Sequence, residues 1–321
     1  MLVQSLLFGK FLVSLPYLNS GGLLLQSTQI PNSIIPSQAT ELQPALRELG
    51  ISLINRAVEL ADTLDVKHLE LRHESPFPHP AFNAERSDKV HMRLPLPNDA
   101  STLMASFKSK LRSQIKKANE NNFEIRFGTT ELLQDFYGVF AENMRDLGTP
   151  VYSKSLFREI LKAFPPKNSP HTSPAHNPTP NPTHSGQAEL GVVYLNAYPT
   201  AAALLIHHQG KTEVPSASSL RRFNATGVNM WMYSKLLDRA IERKSQCFDF
   251  GRSSVGSGTY KFKEQWGAKP HQATWQFYVR KGNPTDMRPD SPNKQKLIRL
   301  WQKLPVTITR WIGPPIVRGI P

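Results

Sequence analysis

Residues 248–267, FDFGRSSVGSGTYKFKEQWG, gather the side chains best suited to chemistry. One acid, Asp249, lies in an aromatic strand. Arg252 follows at the strand end, and a glycine-rich turn leads into a short basic helix carrying Tyr260 and Lys263. Strand alternation sends Phe248 and Phe250 to one face and Cys247 and Asp249 to the other. Asp249 then has two readings: it orients or deprotonates a substrate amine, or it forms an internal ion pair with an arginine. On the helix, Phe262 and Trp266 share an apolar face, while Tyr260, Lys263 and Gly267 share another. Lys263 is placed to meet an anion or a developing oxyanion; its plainer reading is a solvated lysine. Gly251 and Gly256 have the spacing of a phosphate loop, but Ser257 stands where such a loop needs lysine, and G-x-G-x-x-G is absent.

A second stretch, SSLRRFNATGVNMW at 218–231, has the chemistry of an anion site. A strand ends near Ser219, Arg221 and Arg222 follow, and Gly227 opens a helix whose first turn holds Val228 and Asn229. Main-chain N–H groups at a helix start, with two guanidiniums nearby, suit a pyrophosphate or a nucleic-acid phosphate. The alternative is an ordinary helix capped by Asn224 or Thr226.

Both stretches need a frame. Strand 211–220, helix 228–243 and strand 247–250 make a β–helix–β unit, and a cleft opens beside the helix start where such strands splay. Earlier in the chain, residues 1–97 read as strand, strand, helix (41–64), strand (67–74) and strand (89–97), with 75–87 as a loop. A helix follows at 101–121, opened by Asp99 or Ser101, with Lys108, Arg112 and Lys116 on one flank and Lys110 and Lys117 on the other. A strand at 123–129 and helices at 131–147 and 154–164 lead to strands at 189–196 and 200–209. A last strand covers 273–279.

Composition narrows the classes. The chain has 321 residues and a formal charge of +14, which favours anionic partners. Its one cysteine, Cys247, excludes an intrachain disulfide and a cysteine zinc site. His171, His176 and His184 lie in a low-complexity stretch, 165–187, whose composition reads as a disordered insert and whose spacing fits no metal pattern; no metal is expected. The opening residues lack a basic n-region and a small-residue cleavage site, and Lys10 breaks the apolar run, so they read as a strand rather than a leader. The last residues, from 294 on, mix Trp301, Trp311, Ile and Leu with Lys and Arg. They read either as a weak anchor on an anionic membrane face or as a segment packed back on the domain.

The strings KLRSQIKKANENNFEIRFG, FYGVFAENMRDLGTPVYSKSLF, ASSLRRFN and FDFGRSSVGSGTYKFKEQWGAKP together resemble the FemAB-related acyltransferases of the GNAT superfamily. The resemblance is strongest to the subgroup associated with exosortase (PEP-CTERM) and exopolysaccharide gene clusters. It implies an α/β, GNAT-like fold with two GNAT-type halves around a cleft, the first half shortened at its start. The expected division is 1–97 for the first half, 98–280 for the acyltransferase half and 281–321 for a linker and basic tail. It also implies an acyl-CoA or aminoacyl-tRNA donor, and an amine acceptor in cell-envelope or polysaccharide synthesis. The expected place of work is the cytoplasm, peripheral at the inner membrane face. Phe262 and Lys263 match the family's FK pair, where the lysine sits at the acyl-transfer site. Region 218–229 matches the place where the donor's pyrophosphate or tRNA end docks, which assigns Arg221, Arg222, Gly227, Val228 and Asn229 to the donor. Arg252 and Ser219 line the substrate slot, and Asp249 and Tyr260 join Lys263 as catalytic candidates. The usual Q/R-x-x-G-x-G/A loop for acyl-CoA is missing. Two rival readings remain: an RNA-binding module built on helix 101–121 with Arg221 and Arg222, and a non-catalytic scaffold of an envelope-assembly system.

Overall fold

A computed structural model describes residues 1–5, 9–25, 44–166, 186–282 and 292–320. The low-complexity histidines 171, 176 and 184 lie outside the described residues. The contacts divide the chain into two units. One holds residues 1–89, 272–289 and 318–321, the other 90–271 and 290–317. These borders differ from those at 97 and 280, because the strand at 89–95 joins the second unit's sheet and the strand at 274–279 returns to the first unit's.

The first unit is a five-stranded sheet. Its strands are β1 (Leu2–Ser5), β2 (Gly9–Val13), β3 (His68–His73), β4 (Ala84–Arg86) and, from far along the chain, Thr274–Val279, in the order β1, β2, β3, Thr274–Val279, β4. Helix α1 (Pro44–Thr63) turns Ile54 and Ala61 into a core with Leu12, Leu69, Leu71 and Phe77. Strand β4 falls inside the stretch 75–87 that reads as a loop. At three residues it is too short to show an alternation.

The second unit is a seven-stranded sheet. It comprises β5 (Lys89–Pro95), β6 (Phe123–Gly128), β7 (Gln187–Leu195), β8 (Tyr198–His208), β9 (Lys211–Ser219), β10 (Cys247–Ser254) and β11 (Lys269–Gln272), which makes Thr274–Val279 β12. The order is β11, β5, β10, β9, β8, β7, β6. The apolar run of β8 is explained by helices on both faces. Ala201, Ala203 and Leu205 face one core, whereas Ala202 and Leu204 face another. The first core is covered by α2 (Ala100–Ser106), α3 (Ser109–Ala118) and, after β9, α6 (Val228–Glu242). The second is covered by α4 (Leu133–Leu147) and α5 (Lys154–Ala163).

The single helix expected at 101–121 is two helices. Phe107 (ψ 145°) and Lys108 (ψ 148°) are extended between them. The apolar spacing runs through the break undisturbed, because Leu103, Phe107, Leu111 and Ile115 all reach the same core. Phe107 meets Trp266 edge-on at 5.4 Å, a contact that fixes the kink. Asp99 caps α2 by accepting from Thr102 N at 2.8 Å.

The tail packs back on the domain. Helix α7 (Gly258–Gln265) belongs to the site described below. After it, α8 (Pro292–Gln302) and α9 (Val306–Val317) rest on α4. Gln302 donates to Asp146 O at 3.0 Å, and Arg145 donates to Leu304 O at 3.1 Å. A side chain at Gly313 would come within 2.8 Å of Val151 N and 2.9 Å of its Cγ1. Gly313→Ala is therefore expected to lower unfolding stability by about 1–3 kcal/mol, read as a shifted midpoint in urea. A neutral result would show that α9 is not held by this contact.

Candidate functional site

The site begins where two strands stop pairing. Strands β9 and β10 run parallel, with Lys211, Thr212 and Glu213 opposite Cys247, Phe248 and Asp249. The register ends there, although β9 continues to Ser219 and β10 to Ser254. Strand β9 keeps its antiparallel ladder with β8 as far as Ser219 opposite Ala201. The seven-stranded sheet therefore opens as a V between β9 and β10, at the end toward Ser219 and Phe250.

The aromatic face of β10 closes one side of this opening. Phe248 and Phe250 are buried in the core beneath α6, and Phe250 stacks on Tyr233 at 5.4 Å. The opposite face carries Asp249, only 1 % exposed. Its Oδ2 accepts from Arg93 Nε of β5 at 2.9 Å, and the His91 Nδ1 lies 3.7 Å from the same oxygen. Its Oδ1 accepts from Gly251 N at 2.8 Å. Burial pushes the carboxyl's pKa up, but the neighbouring His91 and the bonded Arg93 guanidinium outweigh it and hold the group below the usual carboxylate range. A carboxylate so placed is a fixed negative charge and a poor proton acceptor.

Gly251 has φ +74°, a left-handed conformation that suits glycine. The chain leaves β10 through a turn closed by Ser257 N to Ser254 O at 3.1 Å, with Gly256 at φ +76°. Ser257 then caps α7, its Oγ accepting from Tyr260 N at 3.2 Å. Trp266, just past α7, is fully buried beside Phe107, and Phe262 packs on Tyr233 at 5.1 Å.

These anchors turn Lys263 inward. The side chain is 8 % exposed, not solvated, and its Nζ donates to Gly251 O and Arg252 O, each at 3.0 Å. Burial pushes the ammonium down to about 8, opposed by the charge of Asp249. An ammonium has three donors, and two reach main-chain oxygens of the strand that has just parted from β9. The chain of contacts Arg93, Asp249, Gly251, Lys263 thus joins β5, β10 and α7 into one charged unit.

The anion stretch is arranged differently from its simplest reading. Residues Arg221–Thr226 form a short 3-10 turn, and Gly227, at φ +73°, caps α6 without any side-chain cap bond. Neither Asn224 nor Thr226 caps the helix; the Thr226 hydroxyl donates to Phe223 O at 2.6 Å. Gly227 has no side chain to accept from the first N–H groups of α6. A Cβ on Gly227 would lie 3.1 Å from Ala118 Cβ, so the turn fits closely on the end of α3. Val228 is buried and Asn229 half-buried. Both arginines point at α4: Arg222 pairs with Glu142 and donates to Tyr198 Oη at 2.7 Å, and Arg221 donates to Asp146 O at 2.5 Å. Their charge is matched by α4 rather than aimed at the helix start. Ser219 and the Arg252 backbone stand on the two strands that part, and Tyr260 is half-buried in the first turn of α7.

Arg93 and His91 were not singled out from the sequence. The signal was present: in KVHMRLP the apolar residues Val90, Met92 and Leu94 alternate with His91 and Arg93. Two cationic or titratable groups on the second face of a buried strand need a counter-charge, and Asp249 supplies it. Among the described residues no group of His, Cys, Asp and Glu could hold a metal ion.

Residues 105–264 match the family described as an acetyltransferase (GNAT) domain. The chain carries a GNAT-type acetyltransferase domain. The mixed α/β architecture with two sheets is GNAT-like. The chain is similar in structure to FemX (14 % identity, TM-score 0.51, 80 % of each chain covered). It is also similar to the C-terminal domain of a putative lysylphosphatidylglycerol synthetase from Agrobacterium fabrum (12 %, TM-score 0.50, 74 % of each). A third likeness is to L-PGS from Bacillus licheniformis (11 %, TM-score 0.50, 78 % of each). At these identities the likeness is one of fold. No curated protein sequence matches this chain.

Removing the buried charge tests the unit. A depressed carboxyl contributes stability that is present above its unfolded value, about 4, and lost as pH falls through the folded one. Asp249→Asn should cost about 3–5 kcal/mol at neutral pH, because Arg93 loses its carboxylate. The variant's unfolding midpoint should also depend less on pH below about 4 than the wild type's. An unchanged acid limb would mean that Asp249 does not hold this charge.

Proposed function

We propose that this chain is an N-acyltransferase that moves an acyl or aminoacyl group from acyl-CoA or aminoacyl-tRNA onto an amine. The observation that carries this reading is the V between β9 and β10, with the buried Lys263 ammonium of α7 held on the carbonyls of the strand that leaves it. A carbonyl held in that opening lies between two strand edges, and proximity supplies much of the rate. The amine nitrogen attacks the carbonyl carbon and forms the C–N bond. The thioester C–S or ester C–O bond breaks, and the leaving sulfur or oxygen takes the proton that the amine gives up. Lys263 steadies the negative charge that gathers on the carbonyl oxygen or on a neighbouring phosphate, using its remaining N–H. Asp249 acts through Lys263 and Gly251 as a positioning residue. The Tyr260 hydroxyl is the proton carrier we assign.

The donor's anionic end is proposed at the start of α6, on the N–H groups of Val228 and Asn229, with Gly227, whose own N–H donates to Asn224 O at 3.1 Å, turning the chain into the helix, and with Arg221 and Arg222 reaching it only when released from Asp146 and Glu142. Ser219 and Arg252 flank the acceptor. The missing Q/R-x-x-G-x-G/A loop, and the resemblance of the sequence to FemAB-related acyltransferases, keep aminoacyl-tRNA beside acyl-CoA as the donor. The resemblance to exosortase-associated (PEP-CTERM) FemAB relatives supports an acceptor in cell-envelope or exopolysaccharide synthesis, and work at the cytoplasmic side of the membrane.

Lys263→Ala should lose on the order of ten- to a thousandfold in turnover. If the ammonium is the working form, wild-type transfer should fall as pH rises through about 8. Asp249 raises the lysine's pKa, so Asp249→Asn should move that alkaline limb to lower pH, while Lys263→Arg should flatten it. Wild-type turnover in Lys263→Ala would refute the assignment.

A second reading, nucleic-acid binding without transfer, is favoured by the cations of α3 and of the residue before it. Lys108, Arg112 and Lys116 on one flank and Lys110 and Lys117 on the other are exposed, and none has an ion-pair partner among the described residues. It predicts tRNA affinity that falls steeply between low and moderate salt with no acyl product; filter binding beside a transfer assay separates the two.

A further inference from the structure

Helices α8 and α9 are docked by one face and apolar on the other. Toward α4 they present Ile298, against Gly148, and the buried Thr309 and Gly313. Arg310 is drawn the same way, its Nη2 donating to Gly138 O at 3.3 Å. Away from α4, Leu297, Leu300, Ile308 and Trp311 are 66 %, 61 %, 42 % and 80 % exposed. Residues 297 and 300, and residues 308 and 311, are each three apart, so each pair shares a helix face. Leu147, at the end of α4, is 54 % exposed as well. A folded, anchored helix pair does not leave its largest apolar side chains outward unless something covers them.

We propose that the outward face of α8 and α9 is a peripheral docking surface for an anionic lipid bilayer. Charge chooses the occupant. Residues 291–321 contain six Lys and Arg and no Asp or Glu, and Arg299 and Lys303 are exposed beside the apolar residues. Two copies pressed together by this face would bring like charges into contact, which disfavours a dimer. Leu and Ile entering the acyl boundary, an indole at headgroup level, and flanking cations on anionic headgroups are the arrangement of an interfacial helix. The segment has no span of its own: no described helix is long and apolar enough to cross a membrane. Packing on α4 and lying on a membrane are therefore compatible, because they use opposite faces. The inference stands apart from the transferase reading, since it is read without donor or acceptor.

The test uses the full chain with vesicles of phosphatidylcholine alone and of phosphatidylcholine mixed with phosphatidylglycerol. Sedimentation should bring the protein down with the anionic vesicles, less so in high salt, and only weakly with the neutral ones. Trp311→Ser should weaken partitioning about tenfold, and Arg299→Gln or Lys303→Gln about fivefold each, on anionic vesicles only. These positions are exposed, so thermal unfolding should stay at the wild-type midpoint and separate lost binding from lost fold. Absence of wild-type binding to anionic vesicles would overturn the proposal. So would binding that Trp311→Ser and Lys303→Gln leave unchanged. A concentration-dependent dimer abolished by Trp311→Ser, with vesicles ignored, would overturn it in favour of a second copy.

Discussion

A single buried carboxylate holds the site together. Asp249 accepts from Arg93 across the β5–β10 seam and from the Gly251 N–H two residues on. The second bond fixes a left-handed glycine, and that glycine's carbonyl receives the Lys263 ammonium. Each partner alone would be costly in so dry a place: an unpaired guanidinium, an unpaired carboxylate and a lysine forced below its ordinary range. Together they neutralise one another and leave one cationic donor poised beside an opening in the sheet. The glycines of the quoted loop serve this geometry, letting the strand turn into the helix that carries the lysine, rather than cradling a phosphate.

The rest of the second unit keeps that opening in place. Strand β8 is apolar on both faces because α3 and α6 cover one and α4 and α5 the other. Helix α6 rises directly from the turn after β9 and brings its uncapped start to the same end of the sheet at which β9 and β10 part. The α8–α9 pair is fastened to α4, the helix that also takes up Arg221 and Arg222.

Much of this was legible from residue spacing. The β–helix–β unit at 211–250, the alternation of Phe248, Asp249 and Phe250, and the apolar stripe of α6 were all readable, because local periodicity and burial agree there. The kink at Phe107–Lys108 was not, since the apolar spacing passes through it and Phe107 meets Trp266 from far along the chain. Helical spacing put Lys263 on a face with Tyr260 and left it either beside a cleft or in solvent; its burial depends on β10 lying beneath α7, which is tertiary information. Arg93 was hidden for the same reason: strand alternation shows that it faces something, while the pairing of β5 with β10 decides what. Strands β4 and β11, of three and four residues, carry no period to read.

The three-pair ladder between β9 and β10 has a mechanical meaning. Strands β11, β5 and β10 on one side and β6 to β9 on the other are stitched by so few main-chain bonds that side-chain bulk beneath them must keep them aligned. Phe248, Phe250 and Tyr233 form that bulk. The gap's width is thus set by ring volume rather than by backbone register, so trimming or enlarging one of these aromatics should widen or narrow the opening while leaving Lys263 and its carbonyl partners where they are.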